Sequence, residues 1–344
     1  MRRYEGHTLE RTAIDGLRWE ANASAMLGAA DLVGASPGPQ VAEIVTHEAG
    51  FTNHHYGIHI GQIDRLTFFG QAGQRIHGSF IDCRIGSPTL HRKVSLVFEP
   101  SPLRKLVIDR GIAHTFSHIE HVVTRDEPLW LLTEHNPAYS FGNDLLNFPL
   151  DVSGEAIPIV PVNHLPIPDC CYKYVLERQH QTYLKQVPVY GTRYRIWEDG
   201  AERYALVKQN TWQMPPGHGV PCAIPDWLRQ AAWRPSFFAA SGGDSYYIIQ
   251  SPGVEKVDFI TPEQTGTASQ ITWRQDDGGA LLTFFGRGRI RVTLKSPGRL
   301  SPTLQFAPDP LHSLRVPAET EITVHSKGFL LIRRENLAAL HPAT

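Results

Sequence analysis

The chain is poor in sulfur, with four cysteines and three methionines in 344 residues. Cys83, Cys170, Cys171 and Cys222 show neither CxxC spacing nor the density of a disulfide framework. They read as buried or incidental thiols in a reducing compartment. Long apolar runs are missing too: no stretch approaches the ~18 residues that cross a membrane as a helix. The opening "MRRYEGHTLERTAIDGLRWEA" has early arginines but no apolar core behind them, unlike a secretory leader. A cytoplasmic protein with no membrane partner is expected. Charge of one sign is absent as well, with a formal net charge of −1 and a pI near 7.0. That balance offers no footing for nucleic acid, so the expected partner is a small molecule.

Glycine and proline, in contrast, are frequent, at 29 and 26 residues. Many turns between short elements favour β structure. "IHGSFIDC" (76–83), "KVSLVF" (93–98) and "RKLVID" (104–109) are short, β-rich and bounded by turn formers. "RIRVTLK" (289–295) alternates cleanly, with Ile290, Val292 and Leu294 on one face. Two helices are expected beside these strands. One lies within 8–30, where Leu9, Ala13 and Leu17 fall on one face, and "ASPGPQ" (35–40) then reads as a linker. The other is "PDWLRQAAW" (225–233) in the central segment.

An internal repeat organises the rest. LTFFG occurs at Leu66–Gly70 and at Leu282–Gly286, and SPTL at 87–90 and 301–304. "PSPLRKLVI" (100–108) is echoed by "PDPLHSLRV" (308–316). Three landmarks in one order point to duplication, and a period this long means two domains rather than a solenoid. The expected fold is all-β: two jelly-roll barrels from internal duplication. The expected divisions are 1–40 (helix and linker), 41–164 (first barrel), 165–240 (connection) and 241–344 (second barrel).

Histidines separate the copies. His54, His55 and His59 precede the first LTFFG, and none stands near the second. The landmarks of the first copy are Asp82-Cys83-Arg84, "GSPTLHRKVSLVF" (86–98), "LVIDRGIAHTF" (106–116), "TEHNP" (133–137) and "NDLLNFP" (143–149). Over ~50–150 their order resembles the dTDP-4-dehydrorhamnose 3,5-epimerase family of the cupin superfamily. That resemblance implies a cofactor-independent isomerase or lyase of the epimerase kind. It would move a proton next to a carbonyl of a nucleotide-linked keto-sugar or a related biosynthetic intermediate.

Carried across, His55 takes the place of the base, His114 that of a second site histidine, and Asp144 that of the aspartate orienting the base. Arg65 stands where the family has a lysine. Arg65, Tyr56, His59, Arg84 and Tyr139 are the expected substrate contacts. Two features depart from the family pattern. Thr52-Asn53-His54 replaces the Arg-Gly-Leu that grips a phosphate, and "DEPLWLLTEHNP" lacks the acid tyrosine. His135, Tyr56 and Tyr139 are then the candidate acids. A histidine base suits the chemistry because its ordinary pKa of ~6.5 lies near neutral pH.

Two other readings stand beside this one. In a metal-dependent cupin oxygenase or isomerase, His55, His59 and His114 would hold one divalent ion, with Gln62 or Asp64 near the usual glutamate position. In a binding protein, the histidines would only contact ligand. In the second copy, the place of His55 falls near Ile271–Trp273 and that of His114 on Ile322. Apolar residues there imply a barrel filled for packing. Such a copy can replace a dimer partner and make the chain its own pseudo-dimer; further pairing into a homodimer stays open.

Overall fold

The protein is described by a computed structural model. It covers residues 7–22, 25–27, 32–36, 40–47, 49–71, 73–132, 144–166, 193–198, 201–206, 239–240, 243–250, 253–260, 269–275, 279–286, 288–298, 301, 303–308, 313–328 and 330–336. The fold is all-β as expected, apart from a 3-10 turn at Gly154–Ala156 among the described residues. It divides into two units, and strands are numbered here in chain order.

In the first unit, the larger sheet runs β1 (Thr8–Arg11), β2 (Leu17–Ala21), β10 (Ser101–Ile108), β7 (Gln62–Phe69), β12 (Val123–Asp126), β5 (Gln40–His47), β19 (Gly243–Gln250) and β18 (Ala239–Ala240). Strand β13 (Leu129–Leu132) pairs with β7 and with β15 (Leu165–Pro166). The smaller sheet runs β14 (Leu145–Pro149), β6 (His55–His59), β11 (Ile112–Ser117), β8 (Ile76–Asp82) and β9 (Lys93–Phe98). The sheets enclose a core in which Phe68 and Leu106 of one meet Phe80, Phe98 and Phe116 of the other. Strict alternation builds this core: Leu66 and Phe68 of β7 point in, which also aims Asp64 and Gln62 inward.

In the second unit, one sheet runs β25 (Ser313–Val316), β22 (Ala280–Gly286), β27 (Leu330–Asn336), β20 (Gly253–Ile260), β4 (Leu32–Ser36) and β3 (Ala25–Leu27). The other runs β21 (Ser269–Gln275), β26 (Thr320–Ser326), β23 (Ile290–Lys295), β24 (Thr303–Phe306), β16 (Arg193–Glu198) and β17 (Ala201–Leu206). Part of the strand order repeats: β10-β7-β12-β5-β19-β18 is matched by β25-β22-β27-β20-β4-β3. LTFFG lies in β7 and β22, and each is flanked by the same succession of neighbours. Each unit finishes the sheet that holds LTFFG with two strands from outside its main stretch of chain. The first takes β18 and β19, and the second takes β3 and β4.

The helix expected within 8–30 is not formed. Strands β1 and β2 make an antiparallel hairpin around Thr12–Gly16. Thr12 Oγ1 accepts from Ile14 N at 3.2 Å and donates to Leu17 O at 2.9 Å, and Gly16 sits at φ +86°. Asp15-Gly16 is a hairpin turn signal that overrides a three-residue apolar coincidence. The helix expected at 225–233 lies outside the described residues. No described helix is long and apolar enough to cross a membrane.

Candidate functional site

Short turns and fixed register bring four side chains together in the first unit. β6 and β7 are joined by Ile60-Gly61 alone, so His59 leaves one strand just before Gln62 and Asp64 begin the next. A side chain at Gly61 would meet the carbonyl of Leu131, so the close turn needs glycine there. β14 pairs with β6 so that Leu145 faces His59, which sets Asp144 against the same turn. Ile60 N donates to Asp144 O, and Gly61 N donates to Asp144 Oδ2, each at 3.1 Å. β11 adds His114, which faces Gly57 across the ladder.

The resulting contacts form a chain. His59 Nδ1 is 3.5 Å from Asp144 Oδ1, and His59 Nε2 is 3.8 Å from Asp64 Oδ1. His114 Nε2 is 3.3 Å from Asp64 Oδ2, while its Nδ1 is 3.2 Å from the Ile112 carbonyl. The imidazoles stack with centroids 6.0 Å apart at 26°. Behind Asp64, Gln62 Nε2 donates to Asp64 Oδ1 at 2.7 Å and to Asp126 Oδ2 at 3.2 Å. Trp130 Nε1 donates to Gln62 Oε1 at 2.6 Å and so fixes which end of the amide faces the carboxylates. His59 and His114 keep 19% and 15% of their side-chain surface open, enough for a ligand to reach them.

Electrostatics drive the two rings apart. Burial alone would lower the pKa of His59, but the charges of Asp64 and Asp144 and the Asp144 hydrogen bond raise it to about 10. His114 is lowered, by burial first and then by His59, with Asp64 opposing. Burial raises Asp126 well above the carboxylate range, and Asp64 and Glu43 add to the rise. Burial acts to raise Asp144 too, but His59 and the Gly61 amide hold it low. The surroundings thus favour the charged form of His59 and the neutral form of His114, both beside Asp64.

The residues anticipated from sequence fall in different places. His59, His114 and Asp144 come together. His55 is exposed at the far end of β6, and Asp144 backs His59 instead. Tyr56 points to the opposite face of β6 and stacks on Phe148, with centroids 5.1 Å apart. Arg65 also points away from Asp64, and its Nε donates to Glu127 O at 2.5 Å. Arg84 is held outside the site by Asp82, Asp109 and the carbonyl of Asp15. His135 and Tyr139 lie outside the described residues. Asp64, Gln62, Asp126 and Trp130 join the site, and the inward parity of Leu66 and Phe68 was the signal for the first two. His59, Asp64 and His114 each offer a ligand atom, all within 4.8 Å of one another, so they are the described residues able to hold a metal ion.

No protein-family model and no curated protein matches the chain. Among solved structures it is similar to a dTDP sugar isomerase from Desulfovibrio desulfuricans G20, at 14% identity over 43% of this chain and 91% of that one, with a TM-score of 0.30. It is similar to the rmlC epimerase of Mycobacterium tuberculosis at 14% identity over 52% and 98% of the two chains, with a TM-score of 0.29. A third is ChmJ, a 3'-monoepimerase from Streptomyces bikiniensis in complex with dTDP-quinovose. It shares 14% identity over 51% of this chain and all of that one (100%), with a TM-score of 0.25.

Proposed function

We propose that the first unit is an isomerase-type enzyme that moves a proton at a carbon next to a carbonyl, and that the second unit is its inactive copy. The observation that carries this reading is the pair of imidazoles on one carboxylate, in surroundings that favour the charged form of one and the neutral form of the other. Environments that push two titratable groups apart separate the acid from the base. His114, neutral and tied at Nδ1 to the Ile112 carbonyl, presents its Nε2 lone pair as the base. His59, positive between Asp144 and Asp64, is the acid.

The step follows from these roles. The C–H bond breaks, its proton goes to His114 Nε2, and its electron pair moves into the carbonyl as an enolate. His59 Nε2–H donates to the oxygen where negative charge develops, the only described imidazolium in a site otherwise rich in carboxylates. Return of a solvent proton to the same carbon from the other face gives an epimer, and His114 gives up the abstracted proton to solvent. Return to a neighbouring carbon after transfer through oxygen gives a shifted ketone. Neither route needs a cofactor.

A keto-sugar, nucleotide-linked or from a related biosynthetic route, is the substrate class supported by the ordered motifs between Asp82 and Pro149. Duplication is supported by the repeated LTFFG and the repeated strand order. Solvent-deuterium incorporation into a panel of keto-sugar nucleotides tests the reading. Incorporation should fall by ~100-fold or more in His114→Gln, the usual size of general-base catalysis. Incorporation that survives this change removes His114 as the base.

A further inference from the structure

We infer that His59 Nε2, Asp64 and His114 Nε2 form a binding site for a divalent transition-metal ion, and that the bound ion and proton transfer exclude each other. Ion binding stands on geometry alone; only the exclusion rests on the proton-transfer reading.

Both imidazoles are committed at Nδ1, His59 to Asp144 and His114 to the Ile112 carbonyl. The atoms left to ligate are the two Nε2, and both face Asp64. A carboxylate or carbonyl behind Nδ1 is the support that orients a ligating histidine and raises its basicity. The spacing also fits. Ligands bound at ~2.1 Å around a tetrahedral or octahedral ion lie roughly 3.0–3.4 Å apart. His114 Nε2 is 3.3 Å from one oxygen of Asp64, His59 Nε2 is 3.8 Å from the other, and the three ligand atoms lie within 4.8 Å of one another, so binding an ion draws the two rings in towards Asp64.

The carboxylate is itself braced. Gln62 Nε2 holds Asp64 Oδ1 at 2.7 Å, and Trp130 holds Gln62. Asp144 adds a further carboxylate beside the cluster, so the field favours a cation. Two imidazoles and one carboxylate select zinc, iron(II), cobalt or nickel over magnesium and calcium, which prefer oxygen donors. His55 takes no part, since it is exposed at the other end of β6. The three-histidine set anticipated from sequence is thus replaced by His59, Asp64 and His114. An ion on both Nε2 atoms occupies the base and displaces the proton of the acid, so the chain holds either the ion or the reactive proton pair.

Cobalt(II) titration of the full chain, freed of metal by a chelator, reads binding without any substrate. The expected result is one ion per chain with visible d–d absorption. Affinity should fall at least ~10-fold in Asp64→Asn and in His114→Gln, and stay unchanged in His55→Ala. Circular dichroism melting selects variants that fold, and either of the first two suffices. No saturable 1:1 spectrum, or loss in His55→Ala with retention in the folded Asp64→Asn or His114→Gln, overturns the site. Cobalt(II) should also stop deuterium exchange and chelator should restore it; exchange that requires the ion overturns the exclusion and leaves the site standing.

Discussion

Asp126 and Arg334 occupy equivalent register positions in the two units. Asp126 pairs with Leu66, Arg334 pairs with Leu282, and both leucines open the repeated LTFFG. A carboxylate in one unit stands where the other has a guanidinium. The rest of the second barrel changes in the same sense. Ile322 faces Trp273 where His114 faces Gly57, and Ala280 stands where Asp64 does by the LTFFG alignment. Arg334 lies over the Trp273 ring, 4.6 Å from its centroid, and Ile322 is fully buried. The space that receives imidazoles in one unit is filled by an indole and aliphatic side chains in the other.

This asymmetry predicts opposite phenotypes for matched substitutions. Ile322→Ala removes a buried side chain from a packed core and should cost about 2–5 kcal/mol in denaturant unfolding. Deuterium exchange by the folded fraction should stay near wild type. His114→Gln should abolish exchange with little change in stability, because His114 faces a partly open site. Equal losses of exchange in the two folded variants would contradict the division of labour.

The pH dependence of exchange should be broad and set by the two imidazoles. His114 must be neutral to act as base, and burial lowers its pKa below the ordinary 6.5, so the rate rises with pH on the acid side and that limb lies lower than for an ordinary histidine. His59 must carry its proton, and its pKa is about 10, so the rate falls only as pH approaches that value. A plateau between these limbs is the expected profile. A profile falling above pH 7 would mean that His59 does not supply the acid.

Acid stability should depend on Asp82. Burial alone would raise this carboxyl, but bonds from Arg84, Ser87, Thr89 and the Arg84 amide hold it at about 2. Arg84 Nη2, Ser87 Oγ and Thr89 Oγ1 donate at 2.8, 2.5 and 2.6 Å. A depressed carboxylate contributes stability that is full above its unfolded pKa, near 4, and is lost as pH falls towards 2. Asp82→Ala should destabilise by about 1–3 kcal/mol at neutral pH, since it removes the shared acceptor of Arg84, Ser87 and Thr89. Part of the acid sensitivity between pH 4 and 2 should vanish with it. Urea melts across this range measure both effects.

The strands around the repeat were legible because alternation and turn residues are local signals, and LTFFG marked matching strands in the two units. The N-terminal hairpin was missed because Leu9, Ala13 and Leu17 mimic a helical face while the turn is written in two residues, Asp15 and Gly16. Within the site, His114 and Asp144 followed from motif order. The base was sought at His55, ten residues before Arg65. Yet the link between β6 and β7 is so short that His59 reaches the interior beside Asp64. Parity from Leu66 excludes Arg65 from that face. Which histidine meets Asp144 depends on the pairing of Leu145 with His59, a contact across 86 positions that no local pattern encodes.

Asp144 offers a test that separates charge from shape. Asp144→Asn keeps an oxygen to accept from Gly61 N and removes the negative charge beside His59 Nδ1. Loss of an opposite charge at this range lowers a histidine pKa by about one unit or more. Asp64 remains, so His59 should still titrate above its ordinary value. The alkaline limb of exchange should move down while the acid limb, set by His114, stays in place. Proton and nitrogen NMR of the His59 ring follow the same shift without substrate. If the ring titration moves and the rate profile does not, His59 is a neighbour of the reaction and not its acid.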